Sequence, residues 1–317
     1  MKKNESAPLN LTHADAEKSF YHTPVLLQEA VDALNIIPRG TYVDCTFGGG
    51  GHSREILKKL SDDGILVVFD QDEAAKQNMP DDKRILFVPQ NFRHLQRFLK
   101  LHKHIKVDGI LADLGVSSHQ FDEPERGFST RFDAPLDMRM DKRQQLTAAD
   151  ILKNHTELQL HKMFEKYGEV TNAKTLAKTI VSERESAPIN TISRFKAVLQ
   201  GIVKGNPNKY FAQIFQALRI EVNDELNALK ELLEQSLQVL NKGGRLAIIT
   251  FHSLEDREVK NFFKTGLIGE VTGDEIFGTR TPSPFRIITK KPVGASVKEI
   301  KKNSRARSAK LRIAEKI

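Results

Sequence analysis

The chain has 317 residues, 39% of them hydrophobic and 28% charged, with a formal net charge of +8. That length supports one large domain or two medium ones, and no uninterrupted apolar run reaches the roughly 18–20 residues that span a bilayer. The one cysteine, Cys45, excludes an intrachain disulfide and a cysteine-rich zinc site; with no activating base nearby it reads as a small residue packed under a loop.

The first twenty residues, "MKKNESAPLNLTHADAEKSF", open with two lysines but have no apolar block behind them, so they do not form a signal peptide. They are polar and aperiodic, and residues 1–19 are expected to be flexible. Five short apolar runs follow: "TYVDCTF" (41–47), "GILVVFDQD" (64–72), "RILFVPQNF" (84–92), "VDGILADLG" (107–115) and "GGRLAIITFHS" (243–253). Runs apolar at nearly every position suit parallel strands covered on both faces. Helical patterns at Ser53–Leu60, Glu73–Asn78 and Arg93–Leu101 separate the early runs. Alternating strands and helices predict a doubly wound α/β sheet, whose ligands lie at the carboxyl ends of the strands.

Between Gly115 and Gly243 the chain is too long for one crossover. Helical patterns fill it at 148–168, 172–185, 192–205 and 210–240, and the last ends in "NKGG", a helix stop. The second half of that last helix is the expected crossover. Residues 121–221 read as an inserted all-helical subdomain, with 20–120 and 222–317 forming the sheet domain. Beyond it, "LEDREVKNFFK" is helical, and "FRIITKKPV" (285–293) and "SAKLRIAE" (308–315) predict a terminal strand pair at the sheet edge. Lys298 to Ile317 holds eight Lys or Arg against two Glu, a net of +6, which suits contact with phosphates.

The chemistry concentrates in "VDCTFGGGGHS". Strand, acid, glycine turn and helix is how nucleotide-containing cofactors are held. Glycine lets the backbone approach the ligand, and the helix start offers free N–H groups. Yet G-x-G-x-x-G fails, because residue 53 is Ser, and no Gly-Lys-Ser/Thr follows. Both common pyrophosphate readings are therefore disfavoured. Asp70 ends the second strand, where an acid accepts hydrogen bonds from ribose hydroxyls; the bland alternative is a turn acid in "DQDE". Asp113 ends the fourth strand, facing cofactor and substrate. Phe92 is placed either over an adenine ring or in the core. An adenosine cofactor without a required pyrophosphate fits these residues, and S-adenosylmethionine is the obvious one, with Asp44 near its amino group.

Several ordered blocks carry a resemblance: "YHTPVLLQEAV" (21–31), "GGGGHS" (48–53), "LADLGVSSHQFD" (111–122), "ERGFS" (125–129), "PLDMRMD" (135–141), "FQALRIEVNDEL" (215–226), "GGRLAIITFHSLEDR" (243–257) and "RARSAKLRIAE" (305–315). From about Phe20 onward the chain resembles the bacterial ribosomal RNA small-subunit methyltransferase H family, also called MraW. The resemblance implies a class I S-adenosylmethionine-dependent methyltransferase with a Rossmann-like sheet. It implies a cytoplasmic enzyme that modifies N4 of one cytosine in the decoding region of 16S rRNA. The acceptor is then that RNA, within the small ribosomal subunit or its late precursor, with the insert helping to bind it. Carried over by motif, Gly50, Gly51, His52, Asp70, Phe92, Asp113 and Gln120 contact the cofactor. A homodimer stays open, no membrane partner is expected, and no clustered metal ligands stand out.

The N4 amine is a poor nucleophile, because its lone pair is delocalised into the ring. The enzyme must hold it about 3–3.5 Å from the methyl carbon, in line with the sulfonium. It must also stabilise positive charge on that nitrogen, a role for an acceptor such as Asp113 and the adjoining "LGVSS" loop. The target base must be unstacked or presented single-stranded. Phe128, Phe132, Arg126, Arg131 and Arg139 lie in a turn-rich stretch that either stacks on and clamps RNA or forms a structural hinge. His252 either meets the substrate or is a hydrogen-bonded structural residue. Two other classes compete. A dinucleotide-dependent oxidoreductase would bind a nicotinamide cofactor, and a silent RNA-binding protein would show no methyl transfer.

Overall fold

The computed structural model describes residues 24–269 and 282–317. The expected flexible N-terminus, 1–19, lies outside the described residues.

Five parallel strands form the centre of one sheet: β1 (Thr41–Asp44), β2 (Ile65–Phe69), β3 (Ile85–Val88), β4 (Val107–Asp113) and β5 (Leu240–Thr250). β1 to β4 each lie within a run seen in the sequence, while β5 starts three residues before its run and takes in the "NKGG" stretch. The eight-stranded sheet has the order β3-β2-β1-β4-β5-β8-β6, with β6 (Phe285–Ile287) and β7 (Val293–Gly294) both paired to β8 (Lys310–Lys316). The terminal pair is antiparallel and forms one edge of the sheet, as expected, with β6 outermost. β8 lies between β5 and β6. The run 285–293 is not one strand, because its "TKKP" stretch interrupts it, and Pro292 has no N–H for a ladder.

Alternate strand residues feed two apolar layers. Val67 and Phe69 pack with Leu95 and Leu99 of α3 (Leu95–Leu101), Leu232 of α10 (Glu225–Val239) and Phe262 of α11 (Ser253–Thr265). Leu66 and Val68 pack on the other face with α1 (Leu27–Ala33) and Ile56 of α2 (Gly51–Lys59). A third core is drawn wholly from Phe128 to Val222. It is built by α5 (Ala148–Asn154), α6 (Glu157–Gly168), α7 (Ala173–Ser186), α8 (Ile192–Leu199) and α9 (Pro207–Asn223).

Two predicted helices are broken. Thr156 caps α6 with its side chain and ends the run 148–168 after α5. Asp224, at φ 50°, breaks the run 210–240 into α9 and the crossover helix α10. A short helix the sequence reading missed, α4 (Ser118–Asp122), follows β4 through a Ser117–Gln120 capping box. The last helix, α12 (Val297–Lys302), precedes β8, and Leu26 N–H donates to its Glu299 (2.8 Å). No helix among the described residues is long and apolar enough to cross a membrane.

Candidate active site

The carboxyl ends of β1, β2 and β4 open into a cavity of about 800 Å³. Its first wall is the glycine turn. Gly50, at φ 73°, caps α2, and a Cβ there would stand 2.9 Å from the Phe47 ring. A Cβ on Gly51 would stand 2.1 Å from Pro24 Cγ, so both glycines are required by close packing. Gly51 lines the cavity with Gly48, Gly49 and His52, while Gly50 supports the turn from behind.

Asp70 lies across from that turn and accepts from Gly48 N–H (2.7 Å) and Asp72 N–H (2.8 Å). Burial nonetheless raises its carboxyl to about 7, against the pull of those two bonds. Phe92, Gln90 and Asn91 complete this side. Phe92 packs its inner part on the core below α3 and leaves the rest in the cavity, so both sequence readings of it hold in part.

Asp44 is placed otherwise than expected. It is 1% exposed and does not line the cavity. Its carboxylate accepts from Ser53 Oγ (2.6 Å) and Thr46 N–H (3.1 Å), which ties the start of α2 to β1. Neither contact leaves it facing a ligand.

Asp113 lines the cavity floor. Its N–H donates to Thr46 Oγ1 (2.7 Å), and its Oδ1 is buried without a partner. Oδ2 lies 3.9 Å from His52 Nδ1. The other His52 nitrogen, Nε2, lies 3.2 Å from Val25 O, an atom that can only accept. Nε2 is therefore the protonated nitrogen, and the Nδ1 lone pair faces Asp113. Burial raises the Asp113 carboxyl well above its ordinary value, and the charges of Asp44 and Glu255 add to the rise. Burial lowers His52, more than Asp44 and Val25 raise it.

The opposite wall is held by side chains from distant parts of the chain. Gln120 is 5% exposed and lines the cavity. Its Nε2 donates to Asp72 Oδ2 (2.9 Å), and the Arg126 guanidinium donates to the same oxygen (2.7 Å). Arg126 is almost fully buried and also donates to Arg139 O and Met140 O. Glu255 closes the far end, 2% exposed, accepting from Phe251 N–H (2.8 Å). Arg305 lies over the Phe121 ring at 4.6 Å and donates to Asp122 (2.6 Å).

The residues offered as substrate contacts separate into two groups. Phe128 is buried in the helical core, with Arg126 near its ring, so it cannot stack on RNA. Arg139 does not reach the cavity and is held by Asp137 (2.7 and 2.9 Å) and the Gln144 carbonyl (2.6 Å). Both side chains are held by the protein itself. His252 caps α11, its Nδ1 accepting from Glu255 N–H (3.3 Å) and its Nε2 3.2 Å from Glu255 Oε1; its ring is walled off from the cavity. Arg131 and Phe132 alone of this set are exposed.

Asp72 and Glu255 were missed by the sequence reading. A signal for Glu255 existed: it stands three residues after His252 at a helix start, the spacing of a capping box. Donor atoms of Glu225, His252 and Glu255 lie within 4.8 Å of one another. Arg219 already grips Glu225 with two hydrogen bonds (2.8 and 2.9 Å), so these charges are balanced by protein groups.

A family model described as the MraW methylase family matches residues 19–317. The chain belongs to the MraW methylase family. It is similar to ribosomal RNA small subunit methyltransferase H of Bacteroides fragilis, 53% identical over 301 residues, which covers 95% of this chain and 99% of that one. It is likewise similar to the protein of that name from Cytophaga hutchinsonii, 54% identical over 299 residues, covering 93% and 99%. Among solved structures it is distantly similar to TrmN from Thermus thermophilus, with a TM-score of 0.42 and 13% identity over 92% of this chain and 48% of that one. Membership in the MraW methylase family removes the oxidoreductase reading.

Proposed function

We propose that this MraW-family chain methylates N4 of a cytosine in the decoding region of 16S rRNA, using S-adenosylmethionine. The observation that carries the reading is the unpartnered Asp113 Oδ1, at the floor of a cavity that Asp70 and Glu255 also line. The names of the relatives support the ribosomal acceptor, and the family resemblance supports the choice of atom. The donor set fits a cationic nucleoside: no lysine is among the described residues lining the cavity, and its two arginines are engaged by protein groups, Arg54 by the carbonyls of Gly49 and Asn78 and Arg305 by Asp122.

When bound, S-adenosylmethionine supplies an electrophilic methyl group on a positively charged sulfur. The chain does the rest. Asp70 holds the ribose hydroxyls, and the Gly48–Gly51 turn lets the backbone lie against the ligand. Asp113 Oδ1, which has no protein partner, accepts a hydrogen from the N4 amine and so directs the nitrogen at the methyl group. Glu255 and Phe251 bound the end of the cavity where the base enters. Arg131 and Phe132, exposed on the insert, meet the flanking nucleotides. Lys298, Lys301, Lys302 and Arg307 are exposed on α12 and the turn after it, beside Arg305 at the cavity rim, and hold phosphates. Residues 121–221 act as the substrate-recognition subdomain, and the site of action is the cytoplasm, where ribosomal subunits are assembled.

Radiolabelled S-adenosylmethionine, incubated with unmethylated small subunits and with naked 16S rRNA, tests this directly. Label recovered as N4-methylcytidine supports cofactor, acceptor and atom together. Label on another nucleoside, or none in either RNA, overturns it.

A further inference from the structure

Asp72 sits between two parts of the molecule that bind different things. Its N–H donates to Asp70 Oδ1 (2.8 Å), the acid proposed to hold the ribose. Its Oδ2 accepts from Gln120 Nε2 (2.9 Å) on α4 and from Arg126 Nη1 (2.7 Å) at the neck of the helical block. Arg126 passes the connection on through Nη2 to the carbonyls of Arg139 and Met140 (2.9 and 3.1 Å). Met140 N–H donates to Asn223 Oδ1 (2.7 Å), and Asn223 Nδ2 donates to Met138 O (2.8 Å), at the end of α9.

Most of this chain of bonds is buried. The side chains of Arg126 and Asp72 are 3% and 11% exposed. A buried ion pair gains little stability over apolar packing of the same volume, so its worth lies elsewhere. The backbone of the neck is fixed with the same care. Gly127 has φ 73°, and a Cβ there would stand 2.5 Å from Pro135 O. Met140 also lines the cavity, and its sulfur accepts from Gln71 Nε2 (3.2 Å), one residue from Asp70. A shift of the helical block therefore moves Arg126, Asp72 and the ribose acid together, and ordering of Asp70 by a ligand fixes the neck.

We propose that Asp72 and Arg126 are positioning residues that couple cofactor binding at Asp70 to RNA binding on the helical block. Neither touches a reacting atom. The proposal rests on the functional reading given above. Its thermodynamic content is that each ligand tightens the other by one common factor.

The test is equilibrium dialysis of labelled S-adenosylhomocysteine against the full chain, with and without saturating unmethylated small subunits. For the natural chain, subunits should tighten S-adenosylhomocysteine by about fivefold or more. Asp72→Asn keeps the shape and loses the charge. Arg126→Lys keeps the charge, but cannot reach Asp72 and both carbonyls at once. In each variant the factor should fall to within about twofold, while each ligand alone still binds. A merely structural role would weaken both ligands separately and leave the factor unchanged, and that result overturns the proposal. So does a factor within twofold for the natural chain, which needs no variant to fold. Absence of any S-adenosylhomocysteine binding overturns the functional reading itself, and this inference with it.

Discussion

The two walls of the cavity are made in opposite ways. The glycine wall is bare backbone set by close packing: Gly50 and Gly51 let α2 start against the Phe47 ring and Pro24, and the Asp70 carboxylate accepts from Gly48 N–H. The wall on the insert side is side chain held by side chain, through Asp72, Gln120 and Arg126. A backbone wall needs only a local pattern of small residues. A side-chain wall needs an amide and a guanidinium brought to one carboxylate across 48 and 54 positions of sequence. The first is rigid by shape, and the second is rigid only while its charges remain paired.

Substitutions separate the two. The largest effect is expected where neither wall is touched: Asp113→Ala should lower the methyl-transfer rate by about 100-fold or more, with little change in thermal stability. Near-normal turnover in single-turnover assays would remove Asp113 from the chemistry. Next comes Arg126→Ala, which leaves Asp72 as a buried, unpaired charge and should cost about 3 kcal/mol in urea unfolding. An unfolding midpoint close to that of the natural chain would show that water replaces the guanidinium.

A smaller effect tests the glycine wall through Asp70. Burial raises its carboxyl to about 7, so it is ionised only above that pH. The ionised form is the better acceptor of ribose hydroxyls. S-adenosylhomocysteine affinity should therefore rise between about pH 6 and about pH 8, by at most roughly tenfold per unit, and then level off. Asp70→Asn should flatten the curve, and an unchanged slope in that variant would assign the titration to another group. For folding, the raised value means that the stability Asp70 contributes is present at low pH and is lost as pH rises through 7. Smallest of all in stability is Phe132→Ala. The side chain is exposed, so unfolding should change by less than about 0.5 kcal/mol, while the KM for small subunits rises. An unchanged KM would take Phe132 off the RNA surface.

The same contrast sets how much was legible in the sequence. The five parallel strands, the glycine turn, Asp70 and Asp113 are each marked by a local pattern within about ten residues. Their placement followed from strand-end logic. Asp44 had the same local mark, and its role still came out differently, because Ser53 on the next helix claims its carboxylate. Phe128 and Arg126 looked like surface residues in a turn-rich stretch. Their burial depends on helices as far along the chain as α9, which ends at Asn223, and no window of sequence shows that. The place of β8 inside the sheet was hidden for the same reason, since strand order is a property of pairing partners rather than of either strand.

That place of β8 has a consequence for association between chains. Residues 310–316 follow every other strand in chain order, yet they fill the position between β5 and β6. Without residues 310–316 one edge of β5 has no partner, and its N–H and C=O groups form the kind of edge that recruits other chains. The seven residues of β8 cover that edge, so their removal should favour association of one chain with another.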